Sequence, residues 1–109
     1  MSTFEEGMPF PAETLRAQAR AILSAWGMPD AHAAESAEIM VDADLSGIDS
    51  HGISMLPMYE RLIAEGRLDP EARPVVARDG AAFAVVDGQH GMGHSAGVLA
   101  SRLAMERAR

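Results

Sequence analysis

The stretch Pro74-Val75-Val76-Ala77-Arg78-Asp79-Gly80-Ala81-Ala82-Phe83-Ala84-Val85-Val86 decides the fold class, because the apolar period changes inside it. Val75 to Arg78 and Ala82 to Val86 are two short runs flanking Asp79-Gly80. Asp-Gly between apolar runs predicts a β-hairpin, since both central residues of the favoured turn take positive φ. Upstream of Pro74 the period is helical. Leu15, Ala19, Ile22 and Trp26 share one face of a first helix that starts near Pro11 and stops at Gly27 and Pro29. Asp30 is placed to cap a second helix, with Ala34, Ala37, Val41 and Leu45 on one face and Gly47 at its end. Ile48 to Ser54 reads as a short connection. A third helix carries Met55, Leu56, Tyr59, Leu62 and Ile63 and stops at Gly66, and Pro57 requires it to begin close before that proline. Trp26 and Tyr59 fall on apolar faces and are expected in the core.

Downstream of the hairpin a glycine-rich loop runs from Asp87 to His94, and a last helix opens near Ser95 with Leu99, Leu103 and Met105. The expectation is an α+β fold in two parts. Residues 1–73 form an N-terminal three-helix unit. Residues 74–109 hold the hairpin, glycine loop and helix that begin a second, antiparallel α/β domain.

Composition narrows the function classes. The 109 residues carry a formal net charge of -7, which repels phosphate backbones and argues against a nucleic-acid partner. Zero cysteines remove disulfides, thiolate metal sites and thiol catalysis. Met1 to Glu6 is acidic with no apolar run behind it, unlike a signal peptide. No stretch approaches the roughly 18 apolar residues of a membrane span. A cytoplasmic chain without a membrane partner is expected.

Asp49-Ser50-His51-Gly52 is the densest polar cluster at a helix junction. An imidazole near neutral pKa can give or take a proton. Helix-start N–H groups disfavour the imidazolium and can hold a carboxylate. In this reading His51 is the catalytic candidate. Asp49 orients the ring, Ser50 offers a cap or a hydroxyl to substrate, and Gly52 lets substrate approach the backbone. A capped helix start with a solvent-facing histidine satisfies the same residues. His90 and His94 are four apart, but glycines between them argue against a metal site, and none is assigned. Gly91-Met92-Gly93-His94-Ser95-Ala96 has the look of a dinucleotide-binding turn. The hairpin before it implies antiparallel pairing, and four residues separate Val86 from Gly91, so tight packing is the preferred role for these glycines.

Gly47-Ile48-Asp49-Ser50-His51-Gly52-Ile53, followed by Leu56-Pro57, Tyr59 and Gly66, resembles the signature of the malate/L-lactate/sulfolactate dehydrogenase family. Ala43-Asp44-Leu45 before it, and Val86-Asp87-Gly88 with Gly91-Met92-Gly93 after it, agree in register. The resemblance implies a nicotinamide-dependent oxidoreductase, using NAD or NADP, that acts on a small 2-oxo or 2-hydroxy acid or a related cyclic imino acid. It implies a homodimer whose cofactor domain, begun here by residues 74–109, is not a Rossmann fold. It places the histidine matching His51 in the active site. In some members that histidine is proposed to protonate the substrate oxygen, and in others a later histidine has that role. Many members carry arginine where this chain has Met55, and methionine cannot hold a carboxylate in two bonds. Family members are longer, so this chain alone is expected to be inactive. The reading from another class is a small helical interaction module, in which the histidine turn is only a cap.

Overall fold

A computed structural model describes residues 10–109 of the chain; the acidic stretch Met1 to Glu6 lies outside them. The elements are α1 (Ala12–Ala25), α2 (Asp30–Leu45), two successive 3-10 turns (Asp49–His51 and Ile53–Met55), α3 (Leu56–Ala64), β1 (Val75–Asp79), β2 (Ala84–Asp87) and α4 (Gly93–Arg107). The fold is α+β with an antiparallel pair of strands.

The first three helices end alike. Gly27, Gly47 and Gly66 take positive φ, and the residue after each donates its N–H five residues back: Met28 to Leu23, Ile48 to Ala43 and Arg67 to Leu62. This is the Schellman closure, which satisfies carbonyls a helix end would otherwise leave bare. At the N-termini the expectation for Asp30 is corrected. Pro29 holds the cap position and Asp30 is the first helical residue. The Asp30 carboxylate instead accepts two bonds from Arg20 on α1, at 2.6 and 3.2 Å. Two solvated partners make this pair an alignment device for the two helices more than a source of stability. α3 begins at Leu56, with Pro57 in its first turn, where a missing N–H costs nothing.

The core sits between α1 and α2. Leu23, Met40, Val41 and Ser36 are fully buried, and Ala19, Ala33 and Ala37 are small enough to bring the two axes close. Of the expected faces, Ala19, Ala37 and Val41 are buried as read, but one apolar residue on each helix lies outside. Ile22 and Leu45 are 39% and 64% exposed, while Leu23, Ala33 and Met40 take the interior. Trp26 and Tyr59 pack against this core as half-buried residues, with Ile53, Leu56 and Leu68. Met92, from the loop before α4, inserts into the same cluster.

The hairpin forms, but not through the expected turn. Asp79 still pairs with Ala84, so the loop is Gly80 to Phe83, closed by the Gly80 N–H to the Phe83 carbonyl at 2.8 Å. Gly80 is not among the positive-φ glycines. It is needed for room, since a Cβ there would lie 2.2 Å from the Phe83 ring. The second strand therefore starts at Ala84 rather than Ala82. A bulge between Val76 and Arg78 breaks the alternation of β1. The two-residue positive-φ geometry appears further on, at Gln89 (φ 57) and His90 (φ 64), between β2 and α4. The Asp87 carboxylate holds that turn by accepting the Gln89 N–H at 2.8 Å, and the His90 carbonyl accepts the Asp69 N–H at 2.9 Å. α4 opens at Gly93, two residues before the expected start, and an Arg107–Asp79 ion pair ties its end to β1. Among the described residues no helix is long and apolar enough to cross a membrane.

Candidate active-site turn

His51 closes the first 3-10 turn and is exposed. Its Nδ1 lies 2.9 Å from Ser50 Oγ. That contact uses Nδ1, and among the described residues no bond is made to Nε2. The Ser50 hydroxyl can donate to a bare Nδ1 or accept from a protonated one, so it serves either tautomer and the imidazolium. The carboxylate of Asp49 makes no bond to the ring among the described residues. Its main-chain carbonyl is used instead, accepting Ser54 Oγ–H at 2.6 Å and the Gly52 N–H at 3.4 Å. No side-chain cap bond forms at this turn, so Ser50 acts on the imidazole rather than on a helix end.

Gly52 is buried, and the space a Cβ would need is filled by the carboxylate of Asp44, whose Oδ1 would lie 1.8 Å from it. The other oxygen of Asp44 accepts the Ile53 N–H at 3.0 Å. Met55, where a cation was the alternative, ends the second 3-10 turn and is half-buried.

Sequence reasoning missed a cleft of about 550 Å³ between α2, α3 and α4. Ile39, Tyr59, His94, Val98, Arg102 and Met105 line its walls, and Gly93, Gly97 and Ser101 form a stripe of small residues at every fourth position of α4. That stripe was visible in the sequence. His94 Nδ1 is buried there without a hydrogen-bond partner among the described residues, and the ring meets Tyr59 edge-on with centroids 6.1 Å apart. Burial lowers the pKa of His94 and raises that of Tyr59. His51 does not line this cleft, so the cleft and the histidine turn are separate features. Among the described residues no three histidine or acidic side chains gather as metal ligands.

The glycine loop after β2 uses two of its N–H groups within the protein. Gly91 donates to the Gly88 carbonyl and Gln89 to Asp87. A Cβ on Gly91 would meet Ala72 Cβ at 3.0 Å, which is the tight packing expected of it.

The family model for malate/L-lactate dehydrogenase matches residues 10–109. The L-sulfolactate dehydrogenase of Methanocaldococcus jannaschii is 35% identical over 88 residues, covering 81% of this chain and 26% of that protein. A solved structure of a putative malate/lactate dehydrogenase from E. coli superposes with a TM-score of 0.87 at 31% identity, over 94% of this chain and 28% of the other. The delta1-piperideine-2-carboxylate reductase of Pseudomonas syringae pvar. tomato gives a TM-score of 0.82 at 33% identity, over 94% and 31%. The chain thus spans about a quarter of the length of the curated relatives it matches.

Proposed function

This chain belongs to the malate/L-lactate dehydrogenase family, and on that premise we propose that it carries the substrate-side histidine of an oxidoreductase. The reaction moves a hydride between NADH or NADPH and a 2-oxo acid or 2-hydroxy acid, or a related cyclic imino acid. The printed names of the relatives, which include sulfolactate, malate and hydroxycarboxylate dehydrogenases and a piperideine-carboxylate reductase, support that substrate range. In this reading residues 74–109 open the cofactor-binding domain, and the enzyme works as a cytoplasmic homodimer.

The observation that carries the proposal is the Ser50–His51 contact at 2.9 Å on an exposed turn. In the reducing direction the imidazolium of His51 holds Nδ1–H toward Ser50 Oγ and presents Nε2–H to the substrate oxygen. As the carbonyl carbon gains its hydride, Nε2 gives up its proton and the ring is left neutral with Nδ1–H still bonded to Ser50. Solvent reprotonates the exposed ring. In the oxidising direction the same neutral tautomer accepts the hydroxyl proton at Nε2. Asp49 contributes its main-chain carbonyl, which ties Ser54 back onto the turn. The backbone beside Gly52 is held by Asp44, and any substrate contact proposed for Gly52 runs through that held backbone.

A nicotinamide would supply the hydride. The glycine turn that most resembles a dinucleotide site has its Gln89 and Gly91 N–H groups already bonded within the protein, leaving neither for a pyrophosphate.

The test is a panel of 2-oxo acids and cyclic imines offered to the active enzyme with NADH or NADPH, following loss of the reduced nicotinamide. Turnover of at least one member of either class is expected. No turnover with any acid or imine under either cofactor would overturn the proposal.

A further inference from the structure

We propose that Asp44 is the positioning residue of the His51 turn, a role that rests on the proposed part played by His51. One residue ties both ends of the segment Gly47 to Ile53. The main-chain carbonyl of Asp44 accepts the Gly47 N–H at 3.0 Å, where α2 ends. Its carboxylate accepts the Ile53 N–H at 3.0 Å, two residues beyond His51. The bond is charge-assisted, which makes it stronger and more directional than a neutral one.

The carboxylate is itself anchored. Asp44 lies in the last turn of α2, just beyond Met40 and Val41, which are fully buried. Its Oδ1 fills the space beside Gly52 that any other residue's Cβ would occupy. Gly52 is thus required by Asp44. His51 is joined directly to Gly52, so the latch sets where its Cα stands and which way its ring leaves the surface. Ser50 can meet Nδ1 only while that placement holds. A reacting group displaced by about 1 Å can lose on the order of 100-fold in rate, so a latch of this kind is felt in kcat.

The experiment compares Asp44→Asn, Asp44→Ala, Gly52→Ala and His51→Gln in the active enzyme. Each folded variant is measured for kcat, KM, hydrogen exchange of the Ile53 amide and the ring nitrogen shifts of His51. Asparagine keeps an oxygen acceptor of the same reach, so Asp44→Asn is expected to stay within a few-fold of wild type in both kcat and Ile53 exchange. Asp44→Ala is expected to lower kcat by about 10- to 100-fold with a smaller change in KM, to speed Ile53 exchange by about tenfold or more, and to shift the His51 ring signals. Gly52→Ala pushes the carboxylate out and is expected to reproduce these effects, so it carries the comparison if Asp44→Ala does not fold. Unchanged Ile53 exchange and unchanged kcat in whichever of these two folds would overturn the proposal. A slow His51→Gln beside a fully active Asp44→Ala would overturn it too, while leaving the role of His51 intact. Faster Ile53 exchange and shifted ring signals, with His51→Gln fully active, would uphold the latch and remove the chemistry assigned to His51.

Discussion

His94 shows what a single buried polar atom does to this molecule. Its Nδ1 has no partner, its ring stands edge-on to Tyr59, and burial holds its pKa below the ordinary value of about 6.5. The sign of the linkage follows. Above that ordinary value both folded and unfolded chains hold a neutral ring, and the contact contributes in full. As pH falls below it the unfolded chain takes up a proton that the folded chain resists, so stability falls until the folded pKa is passed. Chemical denaturation at pH 7.5 and 5.5 should show lower stability at 5.5, and His94→Phe should abolish most of that difference while keeping an edge-on ring against Tyr59. A pH response unchanged in the phenylalanine variant would place the effect elsewhere. The sequence shows the histidine but not this environment, because the partner ring comes from α3, thirty-five positions away. The Asp49–Gly52 cluster was legible as a polar turn between helices because four local residues compose it. Its hydrogen bonds were not, since Ser50 rather than Asp49 meets the ring.

At the scale of elements, helix ends were easier to read than helix faces. Gly27, Gly47 and Gly66 mark three ends from the sequence alone, because a left-handed closing residue has few alternatives to glycine. Faces were harder because apolar residues are adjacent. Ile22 and Leu23 both continue an apolar stripe, and one step turns the helix by about 100°. Packing against the alanines of α2 selects Leu23, leaving Ile22 at 39% exposed. Leu23→Ala is accordingly expected to cost about 2–5 kcal/mol, and Ile22→Ala well under half of that, in urea midpoints read with a common slope. Equal losses at the two positions would restore the face expected from periodicity. The hairpin was legible for the opposite reason, since two short apolar runs around Asp79-Gly80 tell of a chain reversal somewhere near. They did not fix where it turns. The loop is set by Phe83 lying over Gly80, and the positive-φ pair falls on Gln89 and His90, which carry no glycine to announce it.

Across the whole molecule, the core lies in the helical part, and the hairpin leaves most of its large apolar residues exposed. Val75, Val76 and Val85 on the two short strands and Phe83 in the loop between them are 44%, 42%, 45% and 51% exposed. Two strands alone are marginal in water, and open edges with apolar side chains favour association. The 109-residue chain is expected to form larger species as its concentration rises, by sedimentation, and Val76→Thr with Phe83→Ser should reduce that trend. A monomer at every concentration would contradict this reading of the hairpin surface. The role proposed for His51 belongs to the other part of the molecule, where α2 holds a turn that presents the ring with Ser50 behind it. Steady-state kinetics of His51→Gln in the active enzyme test it most directly. Glutamine keeps a polar side chain but cannot carry the proton, so kcat is expected to fall by about 100-fold or more. Turnover within a few-fold of wild type, in a variant shown to be folded, would contradict the account.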